Sequence, residues 1–147
     1  MQFETPFGPA WASVDAAGAV TAFSFGAGEG RGNDPELARQ IEEFFNGKRR
    51  AFHLPVAPKG SDFQKRVWAE LVKIPFGETI SYGELARRIG NPAASRAVGR
   101  ANATNPIALI VPCHRVIGSN GKLTGYAGGI DLKEKLIAWE RGHGNRK

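Results

Sequence analysis

The chain holds one cysteine, and the residues around it are the reason to begin there. Ile110-Val111-Pro112-Cys113-His114-Arg115-Val116-Ile117 sets the thiol beside an imidazole and two residues from a guanidinium. A free cysteine has a pKa of about 8.5, so only a small fraction is thiolate at neutral pH, and a neighbouring base or positive charge raises that fraction. A solitary thiol with a histidine at hand is a candidate nucleophile. The competing reading is equally physical. Free cysteines are among the most buried residues and mostly act as small hydrophobes. Sequence neighbours on a strand also point to opposite faces.

Two further sets of side chains could carry chemistry. Glu140 lies on a helix predicted from Asp131 to about Arg141, with Leu132, Leu136 and Trp139 as its apolar stripe. Three-and-four spacing puts Glu140 near Lys133, Leu136 and Ile137, close to the buried side. A carboxylate there needs a partner, and His114 or Lys133 could supply one. Arg96 and Arg100 stand one turn apart on a helix of about 93–103 that otherwise carries Ala93, Ala94, Ser95, Ala97, Gly99, Ala101 and Ala103. A major-groove reader needs long polar side chains for base edges. A helix this bare could instead enter a minor groove about 6 Å wide, with Arg reaching the base stack. Close packing against a neighbouring helix explains the small residues equally well.

These groups need elements to position them. The apolar run up to Pro112 predicts a short buried strand that delivers Cys113 at its exit. Ala10–Val14 and Val20–Phe25 alternate as a hairpin around Asp15-Ala16-Ala17-Gly18. The Gly-rich run 26–32 lacks the Gly-Lys-Ser/Thr ending of a phosphate loop and reads as a connector. Asp34, Pro35 and Glu36 start a helix with Leu37, Ile41, Phe44 and Phe45 on one face, ended by Gly47. A strand is predicted over 51–56, with His53 on its edge, and a linker over 57–60. Ser61 caps a helix bearing Phe63, Val67, Trp68, Leu71 and Val72, in which Trp68 belongs to the core. Ser81 caps the next helix, and Gly90-Asn91-Pro92 turns the chain into 93–103. Helix, short turn and helix make a helix-turn-helix candidate. Asn120-Gly121 is a favoured turn, and 125–129 a flexible loop able to close over a flat group.

At 147 residues, with 41% hydrophobic and 23% charged residues, the chain has the composition of a soluble globular protein of one or two small domains. No apolar run is long enough for a bilayer, and no signal peptide opens the chain. One cysteine forbids an internal disulfide, which fits a reducing compartment, and three scattered histidines make a zinc site an unpromising reading. The net charge of +6 leans toward a polyanion.

Together these residues resemble the O6-alkylguanine-DNA alkyltransferases, the methylated-DNA-protein-cysteine methyltransferases. The resemblance rests on Pro112-Cys113-His114-Arg115-Val116, on Ile80-Ser81-Tyr82-Gly83-Glu84-Leu85-Ala86 and Asn91-Pro92, and on Ser95-Arg96-Ala97-Val98-Gly99. Asn105-Pro106, Thr124-Gly125-Tyr126-Ala127-Gly128-Gly129, Lys133-Glu134-Lys135-Leu136-Ile137 and Glu140 extend it. It covers roughly residues 61–141, and the first sixty fit in outline. The fold it implies is a small, shortened α/β N-terminal domain (sheet plus helix) over 1–57. A mostly α, winged-helix-like domain with a helix-turn-helix follows over 58–147.

The implied activity is transfer of the alkyl group from O6-alkylguanine, with O4-alkylthymine as a second substrate, in double-stranded DNA. The acceptor is Cys113, and the base is flipped out from the minor groove. By the same resemblance His114 acts as base through a water and Glu140 orients it, the logic of a triad. Tyr82 bonds the guanine and protonates it as it leaves, and Asn105 is the hinge to the recognition helix. Arg96 fills the gap left by the base, with Tyr82, Ala94, Ser95 and Arg115 on the DNA side; Arg100 is a charge beyond the family pattern, expected to touch phosphate. Tyr126 with the backbone of Ala127 and Gly128 lids the pocket and bonds O6. The carbonyls of Cys113 and Val116 accept from the guanine amino group, and Lys133 lies close to the pocket. In-line displacement by a thiolate needs no metal or cofactor. Nothing in the sequence would remove the alkyl group afterwards, so one transfer per molecule is expected, by a monomer in the cytoplasm with no membrane partner. Three rivals fit less well: a damage binder would lack the nucleophile, a sequence-specific regulator would need base-reading side chains on 93–103, and a thiol hydrolase leaves Arg96 unexplained.

Overall fold

The structure is a computed structural model and describes residues 1–118, 120–121, 126 and 129–144. The chain divides into two compact units, residues 1–59 with 106–110, and residues 60–105 with 111–147. The break after Lys59 falls two residues beyond the boundary expected from sequence. The return of 106–110 to the first unit has no signature in the sequence.

The first unit holds a three-stranded antiparallel sheet in the order β1-β2-β3, from Gln2–Thr5, Gly8–Val14 and Val20–Phe25. In β2 the residues Ala10, Ala12 and Val14 are buried in strict alternation, the period-2 signature of a half-buried strand. On α1 (Pro35–Phe45), whose N-terminus Asp34 caps by accepting from the Glu36 N–H, Leu37, Ile41 and Phe44 are buried as the helical spacing predicts. The edge strand β1 was not legible in the sequence, because Phe3 is its one apolar residue; Phe3 lies 5.7 Å from Phe23.

The strand expected over 51–56 does not form as a ladder. Gln40 binds the backbone of His53 from both sides, accepting from its N–H at 2.9 Å and donating to its carbonyl at 3.1 Å. Only Val56 makes a bridge, to Val20. Pro55 has no N–H with which to continue the pairing. The Gly-rich run is a connector with a steric reason for its composition. At Gly30 and Gly32, both at positive φ, a Cβ would overlap the carbonyls of Ala12 and Val14.

The second unit is mostly helical. Its helices are α2 (Asp62–Leu71), α3 (Tyr82–Arg88), α4 (Ser95–Ala103) and α5 (Ile130–Gly144). Ser61 and Gln64 make a reciprocal capping box on α2, and Ser81 caps α3. Val67, Trp68, Leu71, Leu85, Ala86, Val98, Leu136 and Ile137 form the core. Trp68 is buried there, and its indole N–H donates to the Ala101 carbonyl at 2.8 Å. Leu132 and Trp139, placed on the α5 stripe from sequence, are half-buried, and the face turned inward is Lys133, Leu136, Ile137 and Glu140. A short 3₁₀ turn over 92–94 precedes α4, so the α-helix begins two residues later than the pattern suggested.

Candidate active site

Cys113, the candidate nucleophile, is positioned by a turn rather than by the expected strand. Leu109 has φ of 68°, a left-handed conformation that ends extension. Asn105 Nδ2 donates to the Val111 carbonyl at 2.8 Å, and Cys113, His114 and Arg115 then make one 3₁₀ turn. The strand comes after the cysteine: β5 (Val116–Ile117) pairs in parallel with β4 (Ile80–Ser81), Ile80 opposite Val116 and Ser81 opposite Ile117. This two-residue ladder fixes the start of α3, and with it Tyr82, next to the segment that leaves the cysteine turn.

Cys113 is buried, at 4% exposure. Burial pushes its thiol up to about 11, against the opposing pull of a hydrogen bond from Asn105 and the charge of Lys133. The nearby positive charge is therefore outweighed, and the resting sulfur is a protonated thiol that requires a base.

His114 can be that base. It is fully buried, and its Nε2 lies 2.7 Å from Glu140 Oε2. Burial lowers the imidazole's pKa more than the Glu140 carboxylate raises it, so the ring is neutral at pH 7. The carboxylate makes Nε2 the protonated nitrogen and leaves Nδ1 as the basic one. Nδ1 is buried without a hydrogen-bond partner among the described residues. Burial pushes the Glu140 carboxyl up, but hydrogen bonds and charge from His114 and Arg115 bring it down to about 2. It is therefore an anion that favours the imidazolium forming when His114 takes a proton.

Of the two partners that sequence allowed Glu140, the structure gives it His114, and it adds one the sequence reading missed. Arg115 Nε donates to Oε1 at 2.8 Å and Nη2 to Oε2 at 2.9 Å, while Nη1 donates to the Ile74 carbonyl at 2.6 Å. The expectation that Arg115 faces DNA is corrected. At 6% exposure its guanidinium is consumed by an internal carboxylate and a backbone carbonyl. The available signal was its place inside an apolar run, between His114 and Val116, where a charge demands a buried counter-ion.

Tyr82 and Lys133 converge on the same region. Lys133 Nζ lies 3.4 Å from the Tyr82 hydroxyl and 5.6 Å from its ring centroid. Lys133 is fully buried, and burial brings its ammonium down to about 8. Tyr126 is buried and its phenol is pushed well above the usual value by burial, then by the nearby Cys113 and Glu140. Val116 is buried in β5. Ala127 and Gly128 lie outside the described residues, as do Thr124 and Gly125.

On α4, Arg96 and Arg100 are exposed, Ala94 and Ser95 half-buried, and Val98, Ala101 and Asn102 buried. Packing does not require glycine at position 99, since a Cβ there would make only an ordinary contact, 3.8 Å from the Tyr82 ring. Asn102 was not singled out from sequence, yet its Nδ2 donates to the Cys113 carbonyl at 3.2 Å. Among the described residues no three His, Cys, Asp or Glu side chains converge as a metal site would, and no helix is long and apolar enough to cross a membrane.

A buried thiol, a neutral imidazole whose Nδ1 has no partner among the described residues, and an anchored carboxylate, set in a helix-turn-helix unit, are the groups that nucleophilic chemistry at a cysteine would use. The family profile described as 6-O-methylguanine DNA methyltransferase, DNA binding domain, matches residues 62–142. The methylated-DNA--protein-cysteine methyltransferase of Methanosarcina acetivorans is 50% identical over 149 residues, covering 94% of this chain and 95% of that protein. The crystal structure of Mycobacterium tuberculosis OGT in complex with DNA superposes with a TM-score of 0.86 at 42% identity, over 97% of this chain and 92% of that one. S. pombe Atl1, in complex with damaged DNA containing O6-carboxymethylguanine, is 31% identical with a TM-score of 0.50, over 56% of this chain and 78% of its own. The chain belongs to the 6-O-methylguanine DNA methyltransferase family.

Proposed function

We propose that this protein repairs duplex DNA by moving the alkyl group of O6-alkylguanine, and of O4-alkylthymine, onto Cys113 as a methylated-DNA-protein-cysteine methyltransferase. The observation that carries the reading is the buried Cys113 thiol followed by an imidazole with Nε2 tied to Glu140 and Nδ1 bare. His114 takes the thiol proton through a water. The sulfur attacks the alkyl carbon in line, forming the S–C bond as the C–O6 bond breaks. The departing guanine accepts a proton from Tyr82, and the resulting phenolate takes one from the Lys133 ammonium, whose Nζ lies 3.4 Å from the Tyr82 hydroxyl. The product is a thioether with no leaving path, so each molecule acts once.

Access needs the base out of the stack. Extrusion costs a few kcal/mol and least for a weakly paired damaged base, which favours lesions. Exposed Arg96 occupies the gap from the minor groove, Arg100 meets phosphate, and Ala94 and Ser95 let the backbone approach. Asn105 joins α4 to the cysteine turn, while Tyr126 packs against the base. The DNA complexes of the relatives support the partner, and their names support the reaction. The single cysteine fits a reducing compartment such as the cytoplasm, where the protein would act as a monomer.

Cys113→Ala tests the assignment of the acceptor. A duplex carrying labelled O6-methylguanine should bind this variant but pass no label to it. Label on the variant would place the acceptor elsewhere. Loss of both binding and fold would make Cys113 a structural residue.

A further inference from the structure

Arg115 does more to Glu140 than balance its charge. Its Nε donates to Oε1 at 2.8 Å and its Nη2 to Oε2 at 2.9 Å, so the guanidinium fork holds both carboxylate oxygens. The Gly77 N–H also reaches Oε1, at 3.4 Å. Oε2 is the atom that meets His114 Nε2, at 2.7 Å. A glutamate carboxylate turns readily about its last bond, because that torsion has broad, two-fold minima. Two parallel bonds from a planar fork stop the turn, where a point charge would not. The fork is itself fixed, since Nη1 donates to the Ile74 carbonyl at 2.6 Å.

Charge alone does not explain the arrangement. Burial is the main reason the His114 imidazole titrates low, and the charges of Arg115 and Lys133 add to it against the pull of Glu140. A cation placed here only for its charge makes His114 a weaker base. Its effect is on direction. His114 and Arg115 are consecutive on one 3₁₀ turn and leave it about 120° apart, yet Glu140 on α5 joins them both. We propose that Arg115 is a positioning residue for the proton transfer: by locking the Glu140 carboxylate it holds the His114 ring with Nε2 occupied and Nδ1 left as the base. The inference rests on the alkyl-transfer reading above and adds the residue that aims its base.

Single-turnover transfer from a duplex carrying labelled O6-methylguanine tests it, at saturating DNA and below the unfolding transition of each variant. The endpoint counts folded acceptor, and the rate constant reports alignment. Arg115→Lys keeps the charge and loses the fork, so its rate constant should fall about ten- to a hundredfold. Arg115→Met should fall as far, although removing the cation makes His114 more basic. In a Glu140→Gln background, where the carboxylate is already gone, Arg115→Lys should cost less than about threefold. A merely structural role would lower the endpoint and leave the rate constant of the surviving protein unchanged, and that result overturns the proposal. So does an equal loss in both backgrounds, or an Arg115→Met rate at or above wild type. Folded wild-type protein that takes up no label would instead sink the alkyl-transfer reading itself.

Discussion

Arg115→Met should unfold this protein more easily without touching its hold on DNA. The substitution removes two hydrogen bonds to Glu140, at 2.8 and 2.9 Å, and one to the Ile74 carbonyl at 2.6 Å. It leaves Glu140, 2% exposed, as a buried carboxylate with His114 as its remaining side-chain partner. Breaking one side of a buried ion pair costs about 3–5 kcal/mol, a large share of the roughly 5–15 kcal/mol that holds a domain folded. For a chain of this length each kcal/mol moves the melting temperature by about 2–4 °C, so the fall should be roughly 6–20 °C. Thermal and urea unfolding followed by circular dichroism measure it. Adding Glu140→Gln removes the orphaned charge, so the double variant should recover part of the loss. A cost below about 1 kcal/mol, the value of an exposed pair, would refute the buried-clamp reasoning. So would weaker binding to undamaged duplex at an unchanged melting temperature, which would return Arg115 to the DNA face.

Two buried groups give opposite pH signatures. The thiol of Cys113 is pushed up to about 11 from 9.0, so the unfolded chain loses that proton first and stability is lost as pH rises past about 9. The ammonium of Lys133 is brought down to about 8 from 10.5, so the folded chain loses its proton first and stability is gained from about pH 8 upward. Melting between pH 8 and 10 should therefore show Cys113→Ala gaining on wild type and Lys133→Met falling behind; the reverse order would contradict the burial of both. Arg96→Ala should slow repair of an O6-methylguanine duplex much more than reaction with free O6-benzylguanine. Equal losses in the two rates would remove Arg96 from the role of filling the vacated stack.

Much of this architecture could be read from the chain because local rules and global fold agree. Ser61, Asp34 and Pro35, and Ser81 mark helix starts, and the structure uses them as caps or at the first helical position. What sequence could not show are features without periodicity. The two-residue ladder of β4 and β5 is too short to leave a pattern, yet it sets Tyr82 beside the cysteine turn. The run 107–112 is as apolar as a strand, but it is bent by Leu109 in a left-handed conformation that its sequence does not announce. Burial inverted the simplest inference at the site. Charge near a thiol lowers its pKa in water, whereas here desolvation wins and keeps Cys113 a thiol at neutral pH. The partnership of Arg115 with Glu140 joins residues 25 apart, and the family resemblance pointed instead to DNA.

The central claim is that Cys113 accepts one alkyl group and keeps it. Intact-protein mass spectrometry after mixing with excess duplex containing a single O6-methylguanine measures this directly. The account predicts one added methyl group per protein, mapped by peptide analysis to Cys113, with no further increase over time. An unchanged mass with the lesion still bound would make this a damage-binding protein, and an unchanged mass with the lesion gone would mean turnover by different chemistry.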